Sequence, residues 1–538
     1  MSKLLHTIAS IAIASAASLA TPGAASAAIW PSAGQDLTNA HNQPLEFQIG
    51  PGNVANLKVK WSFSTSGDVV GQPALDDQYA YFPDSAGFIY KVSRATGALV
   101  WKFPVSNYTG IASDYARSTP AIWGNTLVFG NQAGKFVAAF YEPPPQPAQV
   151  FAVDKNTGAK LWSTQVDSDQ LSAITAAPVV AEGLVLAGVA SQEELYAGFT
   201  PNWQFAFRGS VVALDVNTGA IRWKTYTVPP GYFGGAVWGS TIAFDVLRQE
   251  AYAGTGNNYA VPQSVLNCLK AGGAPTSCLD PNDHFDSVIG LSLADGHITW
   301  SKRGVPYDAF NTGCGLYVPY VFTLPPNDNC PNPAGPDWDF AQGPMLLGGP
   351  LFSFLNSHIG GGEKSGVFWS FDRNAGTVDW MTQVAPGGLT GGLQWGSATD
   401  GQRIYVAASN SGVEVGDAPP VPQPWTLKDG TTVLSGGWAA LDSTTGKVLW
   451  TTPDPKGSRA EAPVAIANGV MYGCNLDPVN GTMYALSAQT GAVLWSYNSG
   501  GACEAGPSIA DGVVYWGSGN GQGVGGPHKL FAFSLGGN

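Results

Sequence analysis

Two segments are near-copies: Ala152-Val-Asp154-Lys-Asn-Thr-Gly158-Ala-Lys-Leu-Trp162 and Ala213-Leu-Asp215-Val-Asn-Thr-Gly219-Ala-Ile-Arg-Trp223. Each is an apolar strand, a turn ending in Gly, and a Trp four residues after that Gly. Five further segments repeat the pattern, pairing Gly97 with Trp101, Gly296 with Trp300, Gly376 with Trp380, Gly446 with Trp450 and Gly491 with Trp495. Four residues before each Gly stands Asp or Ser: Ser93, Asp154, Asp215, Ser292, Asp372, Asp442 and Ser487. Such a unit reads as a hairpin. Alternation puts every second residue on one sheet face. The Asp or Ser bonds turn amides, and Gly supplies the φ > 0 position. The Trp then lies at a fixed point on the outer strand, set to pack against the neighbouring sheet.

An eighth copy is split between the chain ends. Lys529–Gly536 supplies a strand and turn without a Trp, and Leu57–Trp61 supplies the missing outer strand. Pairing them closes a ring and leaves no open sheet edge. The expectation is an all-β, eight-bladed propeller of four-stranded antiparallel blades spanning residues 28–538. Most steps from Trp to Trp exceed ordinary blade periods of about 40–50 residues. The excess marks long loops, the largest between Trp223 and Trp380, and loops gathered on one propeller face build sites.

Composition agrees. Of 538 residues, 69 are Gly, 39 Pro and 18 Trp, while only 12% are charged. Gly and Pro at that level suit short strands and tight turns, not helices. The net charge is −13 with no Lys/Arg cluster, which excludes nucleic acid and acidic lipid surfaces as partners. Lys3, an Ala-rich apolar run and Ala25-Ser26-Ala27 read as a secretory signal over residues 1–27, so the mature chain is expected to be secreted or periplasmic. No later segment is apolar enough to span a bilayer. Six Cys in an exported chain imply disulfides. Proximity favours Cys268–Cys278, Cys314–Cys330 and Cys474–Cys503 among the fifteen pairings six Cys allow. Cys-x-x-Cys-His is absent, so no covalent c-type haem is expected.

Between the repeats the chain resembles the quinoprotein alcohol dehydrogenases, which use pyrroloquinoline quinone (PQQ), and among them polyvinyl alcohol dehydrogenase-like proteins. The resemblance runs from Trp30-Pro-Ser-Ala-Gly-Gln-Asp-Leu-Thr-Asn39 through Arg208-Gly-Ser, Gly234-Gly-Ala-Val-Trp238-Gly-Ser, Gly254-Thr-Gly-Asn257-Asn258-Tyr and Asp283-His-Phe-Asp-Ser287. It continues through Lys364-Ser-Gly366 and Trp395-Gly-Ser to Val514-Tyr-Trp-Gly-Ser518.

PQQ is a flat tricyclic quinone with three carboxylates. It requires an aromatic floor, cations, a divalent metal and a base for the alcohol. The resemblance assigns the floor to Trp238. It assigns Ca²⁺ to Glu193, Asn257 and Asp339, hard oxygen donors suited to that ion. Glu194 is an adjacent rival to Glu193. The base is Asp339, in Asp337-Trp338-Asp339-Phe340, with Asp308 and Asp337 as alternatives. Asn311 aligns there too, but an amide cannot take a proton. Arg117 and Lys364 are matched to the cofactor's anionic edge, Arg208 more weakly, with Thr175, Ser191, Gln394 and Trp395 as further contacts.

The implied activity is oxidation of a small or polymeric alcohol, with electrons passed to a separate acceptor such as a cytochrome c. The competing expectation is a non-catalytic propeller that serves as a binding or assembly scaffold. One departure stands out. Where relatives carry two adjacent Cys before Arg-Gly-Ser, this chain has Trp203-Gln204-Phe205-Ala206-Phe207.

Overall fold

In the computed structural model, residues 28–132, 146–239, 241–318, 322–348, 357–411, 421–520 and 526–538 are described. The expected export signal, 1–27, lies outside them.

Eight four-stranded antiparallel sheets form the blades of a propeller. Blade 1 spans strands Ala74–Leu75 to Leu99–Pro104, and blade 2 spans Ala121–Trp123 to Lys160–Gln165. Blade 3 runs from Val179–Ala181 to Ile221–Tyr226, blade 4 from Ala243–Asp245 to Ile298–Arg303, and blade 5 from Met345–Leu346 to Val378–Gln383. Blade 6 runs from Ala398–Thr399 to Val448–Pro453, and blade 7 from Ala465–Ala467 to Val493–Asn498. Blade 8 joins the chain ends: Ser508–Ala510, Val513–Gly517 and Lys529–Leu535 are completed by Leu57–Ser64, which pairs antiparallel with the last. The ring is therefore closed by strand pairing, as the split repeat requires.

The repeated Trp is the joint between blades. The indole N–H of Trp61, Trp101, Trp162, Trp223, Trp300, Trp450 and Trp495 each donates to a backbone carbonyl in the next blade, at 2.9–3.3 Å. The ring also explains the Gly. A Cβ on Gly219 would lie 2.6 Å from the Trp162 ring, and one on Gly446 would lie 2.3 Å from that of Trp380. The turn Gly thus serves its own hairpin through φ near +70° and admits the previous blade's Trp.

The N-terminal stretch crosses one end of the hub. Carbonyls of Trp30, Pro31, Leu37, Thr38, Ala40 and His41 accept from Leu75, Ile122, Phe244, Leu346, Thr399 and Ile466, at 2.7–2.9 Å. Those six donors lie on the innermost strands of blades 1, 2, 4, 5, 6 and 7. Backbone pairing of this kind satisfies strand edges that would otherwise face the channel. It leaves the opposite end of the hub for a site.

The three disulfides form as proximity favoured: Cys268–Cys278, Cys314–Cys330 and Cys474–Cys503. The long Trp223-to-Trp380 interval contains the helix Gln263–Lys270 and an insertion between blades 4 and 5 that holds Cys314–Cys330. Among the described residues no helix is long and apolar enough to cross a membrane.

Candidate active site

Side chains reach the hub from two places on a blade. One is the segment leading into its innermost strand; the other is the segment leaving its second strand. Antiparallel pairing puts these two points at the same end of the blade. Arg117 and Thr175 each stand four residues before an innermost strand, Trp238 five, Asp339 six and Trp395 three. Ser191 ends a second strand, while Asn257 and Lys364 follow one by three and two residues.

These segments enclose a cavity of about 250 Å³ at the hub. Arg117, Thr175, Ser191, Trp238, Asp339, Lys364, Gln394 and Trp395 all line it. Trp238 meets Trp395 edge to face, with centroids 5.1 Å apart and planes at 77°. The Arg117 guanidinium lies 4.2 Å from the Trp395 ring centroid and is ion-paired with buried Glu504. Beyond these residues a smaller chamber of about 50 Å³ continues along the hub, walled in part by His41 and Glu504.

Asp339 is the most heavily hydrogen-bonded acid in the cavity. Its Oδ1 accepts from the backbone N–H of Asn257 at 2.6 Å, and its Oδ2 accepts from the Trp238 indole at 3.1 Å. The ammonium of Lys364 stands 2.6 Å from Asp339 Oδ2 and 3.0 Å from Asp337 Oδ2. A Cβ on Gly256 would lie 2.9 Å from Asp339 Oδ1, so that glycine gives the carboxylate its room.

The alternatives to Asp339 are held in structural roles. Asp308 accepts from the backbone N–H groups of Asp337 and Trp338, at 3.1 and 2.8 Å, and so fixes the loop that carries Asp339. Asp337 pairs with Lys364. Asn311 bonds the carbonyls of Tyr259 and Asn329 and accepts from Gly313. Arg208 bonds the Val228 carbonyl and stacks on Tyr226, clear of the cavity lining.

Glu193 is not among the residues that line the cavity. Its carboxylate accepts from the backbone N–H groups of Ala206 and Phe207, each at 2.9 Å, and from the Trp203 indole at 3.4 Å. Glu194 lines the cavity instead. The two open the helix Glu193–Phe199, where successive side chains point about 100° apart, so one residue decides which carboxylate faces inward. The side chains of Glu194 and Asn257 lie within hydrogen-bonding reach. Burial, opposed by Lys364, pushes the Glu194 carboxyl up to about 8.

Glu194, Asn257 and Asp339 carry hard oxygen donors of the kind a hard cation takes. The amide nitrogen of Asn257 donates to the Phe310 carbonyl at 2.8 Å, which turns its oxygen elsewhere. Asp337 Oδ1 is buried without a partner. Among the described residues no three acidic or imidazole groups already converge at metal-ligand spacing, and Lys364 is the positive charge between Asp337 and Asp339.

A family model described as outer membrane protein assembly factor BamB, of the PQQ_2 type, matches residues 53–200, 149–231 and 435–525, about half of the chain. A polyvinylalcohol dehydrogenase of a Pseudomonas species is 27% identical over 522 residues, covering 91% of this chain and 73% of that protein. The polyvinylalcohol dehydrogenase of Sphingopyxis sp. (strain 113P3) is 26% identical over 502 residues, covering 87% and 69%. The chain belongs to the quinoprotein alcohol dehydrogenase family, within the PQQ-repeat propellers. A solved quinohemoprotein alcohol dehydrogenase from Pseudomonas putida shares the fold, with a TM-score of 0.67 at 18% identity over 95% of this chain and 81% of that one.

In this quinoprotein the segment that replaces the adjacent Cys, Trp203–Phe207, is the one Glu193 holds. Helix Glu193–Phe199 is pinned at its other end by the insertion: Asn327 and Asn329 donate to the carbonyls of Ala197, Gly198 and Thr200 at 2.7–3.1 Å. The cavity also has a wall that motif reading missed. Thr390, Arg459 and Glu461 line it, and none lies in one of the short motifs that carry the resemblance. A signal existed in their position. Arg459 and Glu461 stand six and four residues before the innermost strand of blade 7, the same place Arg117 and Asp339 occupy in theirs.

Proposed function

We propose that this quinoprotein is a PQQ- and calcium-dependent dehydrogenase of secondary or polymeric alcohols, polyvinyl alcohol among them, which it converts to ketones. We infer further that it is exported by a signal over residues 1–27 and passes electrons to a separate acceptor such as a cytochrome c. The reading rests chiefly on one observation: Asp339 stands at the cavity wall, oriented by Trp238, Lys364 and the Asn257 amide. The names of the two relatives at 27% and 26% identity support the alcohol class.

Bound in the cavity, PQQ would supply the hydride acceptor and calcium the Lewis acid. Glu194, Asn257 and Asp339 are the oxygen donors that would hold the cation. Trp238 offers the aromatic floor, and Arg117 and Lys364 offer positive charge to the anionic edge. Asp339 takes the proton of the substrate hydroxyl as its carbon gives up hydride. Three fixed donors hold that carboxylate in one orientation, which general-base work demands. A scaffold propeller would need none of these groups together.

The test is reduction of an artificial dye by the purified protein supplied with PQQ and Ca²⁺, with secondary alcohols and polyvinyl alcohol as substrates. Asp339→Asn should lower kcat by at least about 10³-fold while the quinone absorbance of the bound cofactor is retained. Absence of both quinone binding and dye reduction in the wild type would exclude the dehydrogenase.

A further inference from the structure

Bound in the cavity, PQQ would bring three carboxylates, each best met by a cation or strong donors. Among the described residues three cationic side chains line the cavity: Arg117, Lys364 and Arg459. Two of them are already engaged. Lys364 lies between Asp337 and Asp339, and Arg117 is ion-paired with Glu504 while stacked on Trp395.

Arg459 is held more loosely. Its Nη1 donates to Thr390 Oγ1 at 3.1 Å, and its Nε stands 3.8 Å from Glu461. The same oxygen, Glu461 Oε2, accepts from Ser409 Oγ at the shorter distance of 2.8 Å. A guanidinium has five N–H donors in a planar fork that matches a carboxylate with two parallel bonds. Among the described residues only Nη1 makes a hydrogen bond, so most of that fork is uncommitted.

Its place on the ring matters as well. Arg459 leads into blade 7, and Glu194 leaves the second strand of blade 3, four blades away on a ring of eight. The two therefore face each other across the hub. Were a flat ring system held with its metal edge at Glu194 and Asn257, Arg459 would be the cation on the far side.

We propose that Arg459 is a ligand for a carboxylate of the quinone cofactor, on the side of the cavity opposite the metal donors, with Glu461 as the carboxylate that occupies it otherwise. This rests on the PQQ reading above. The test measures binding directly, by equilibrium dialysis of PQQ against the full-length protein in Ca²⁺. Arg459→Gln should raise the dissociation constant at least about tenfold. Glu461→Gln, which removes the competing acid, should bind at least as tightly as wild type. Arg222→Gln, on an exposed outer strand, should leave binding unchanged. Binding by Arg459→Gln within about twofold of wild type overturns the assignment. So does a loss in Glu461→Gln equal to that in Arg459→Gln, because the pair would then act only by holding the wall. A wild type that binds no PQQ instead overturns the function proposed for the cavity.

Discussion

At the scale of single residues, the turn glycines carry two requirements that can be separated. Gly219 and Gly183 both sit at positive φ, 71° and 80°. A Cβ on Gly183 would meet nothing within 4 Å, whereas one on Gly219 would press on the Trp162 ring at 2.6 Å. Left-handed backbone costs any other residue roughly 1–2 kcal/mol, and that cost applies at both sites. Overpacking adds about 1–3 kcal/mol at one of them. Gly219→Ala should therefore unfold at lower temperature than Gly183→Ala, by a margin equivalent to about 1–3 kcal/mol. Equal thermal midpoints for the two variants would mean that the indole does not need the missing Cβ.

At the scale of elements, two adjacent glutamates at the start of one short helix have different duties. Glu194 faces the cavity and Asn257, while Glu193 holds the Trp203–Phe207 segment through backbone amides. Glu194→Gln should weaken Ca²⁺ binding by about 10- to 100-fold and leave stability without metal nearly unchanged or raised. Glu193→Gln should lower the thermal midpoint while Ca²⁺ affinity stays within a fewfold of wild type. Calorimetric titration and thermal unfolding of both variants check this, and interchanged results would return the ligand role to Glu193. The same pair shows what sequence can and cannot say. The blades were legible because each hairpin is local: strand, Asp or Ser, Gly and Trp all fall within about a dozen residues. Trp238, Asn257 and Asp339 could be singled out because each stands in a stretch of family likeness. The choice between Glu193 and Glu194 was not, since a one-residue offset leaves the pattern intact and only the helix start fixes the direction. Arg459 was missed because a lone Arg before a strand has no local signature. Its meaning depends on a ring that brings the lead-ins of blades 6 and 7 to one wall, across the hub from blade 3.

At the scale of the molecule, the propeller gathers acids faster than it gathers bases, and this makes its stability depend on pH. Burial pushes Glu504 and Glu193 up to about 7 and Glu194 and Glu363 up to about 8. An unfolded chain gives up these protons near 4.5, so between that value and about 8 the folded state binds more protons than the unfolded one. The stabilisation is complete at the acid end of this window and is lost as pH rises through the folded values. The protein without cofactor and metal should thus melt at a higher temperature near pH 5.5 than near pH 8. Glu504→Gln removes one such group, at a site remote from the metal donors. It should flatten the profile by on the order of 1–3 kcal/mol across the window. Added Ca²⁺ should act in the opposite sense. A cation held as proposed would bind the ionised Glu194, so its stabilising effect should grow as protons leave, and the melting temperatures at the two ends should converge. Differential scanning calorimetry across that range, with and without Ca²⁺, decides the matter. A profile that rises toward pH 8 in the absence of metal would show that the hub acids are ionised in the folded chain, and that Lys364, Arg117 and Arg459 already balance them.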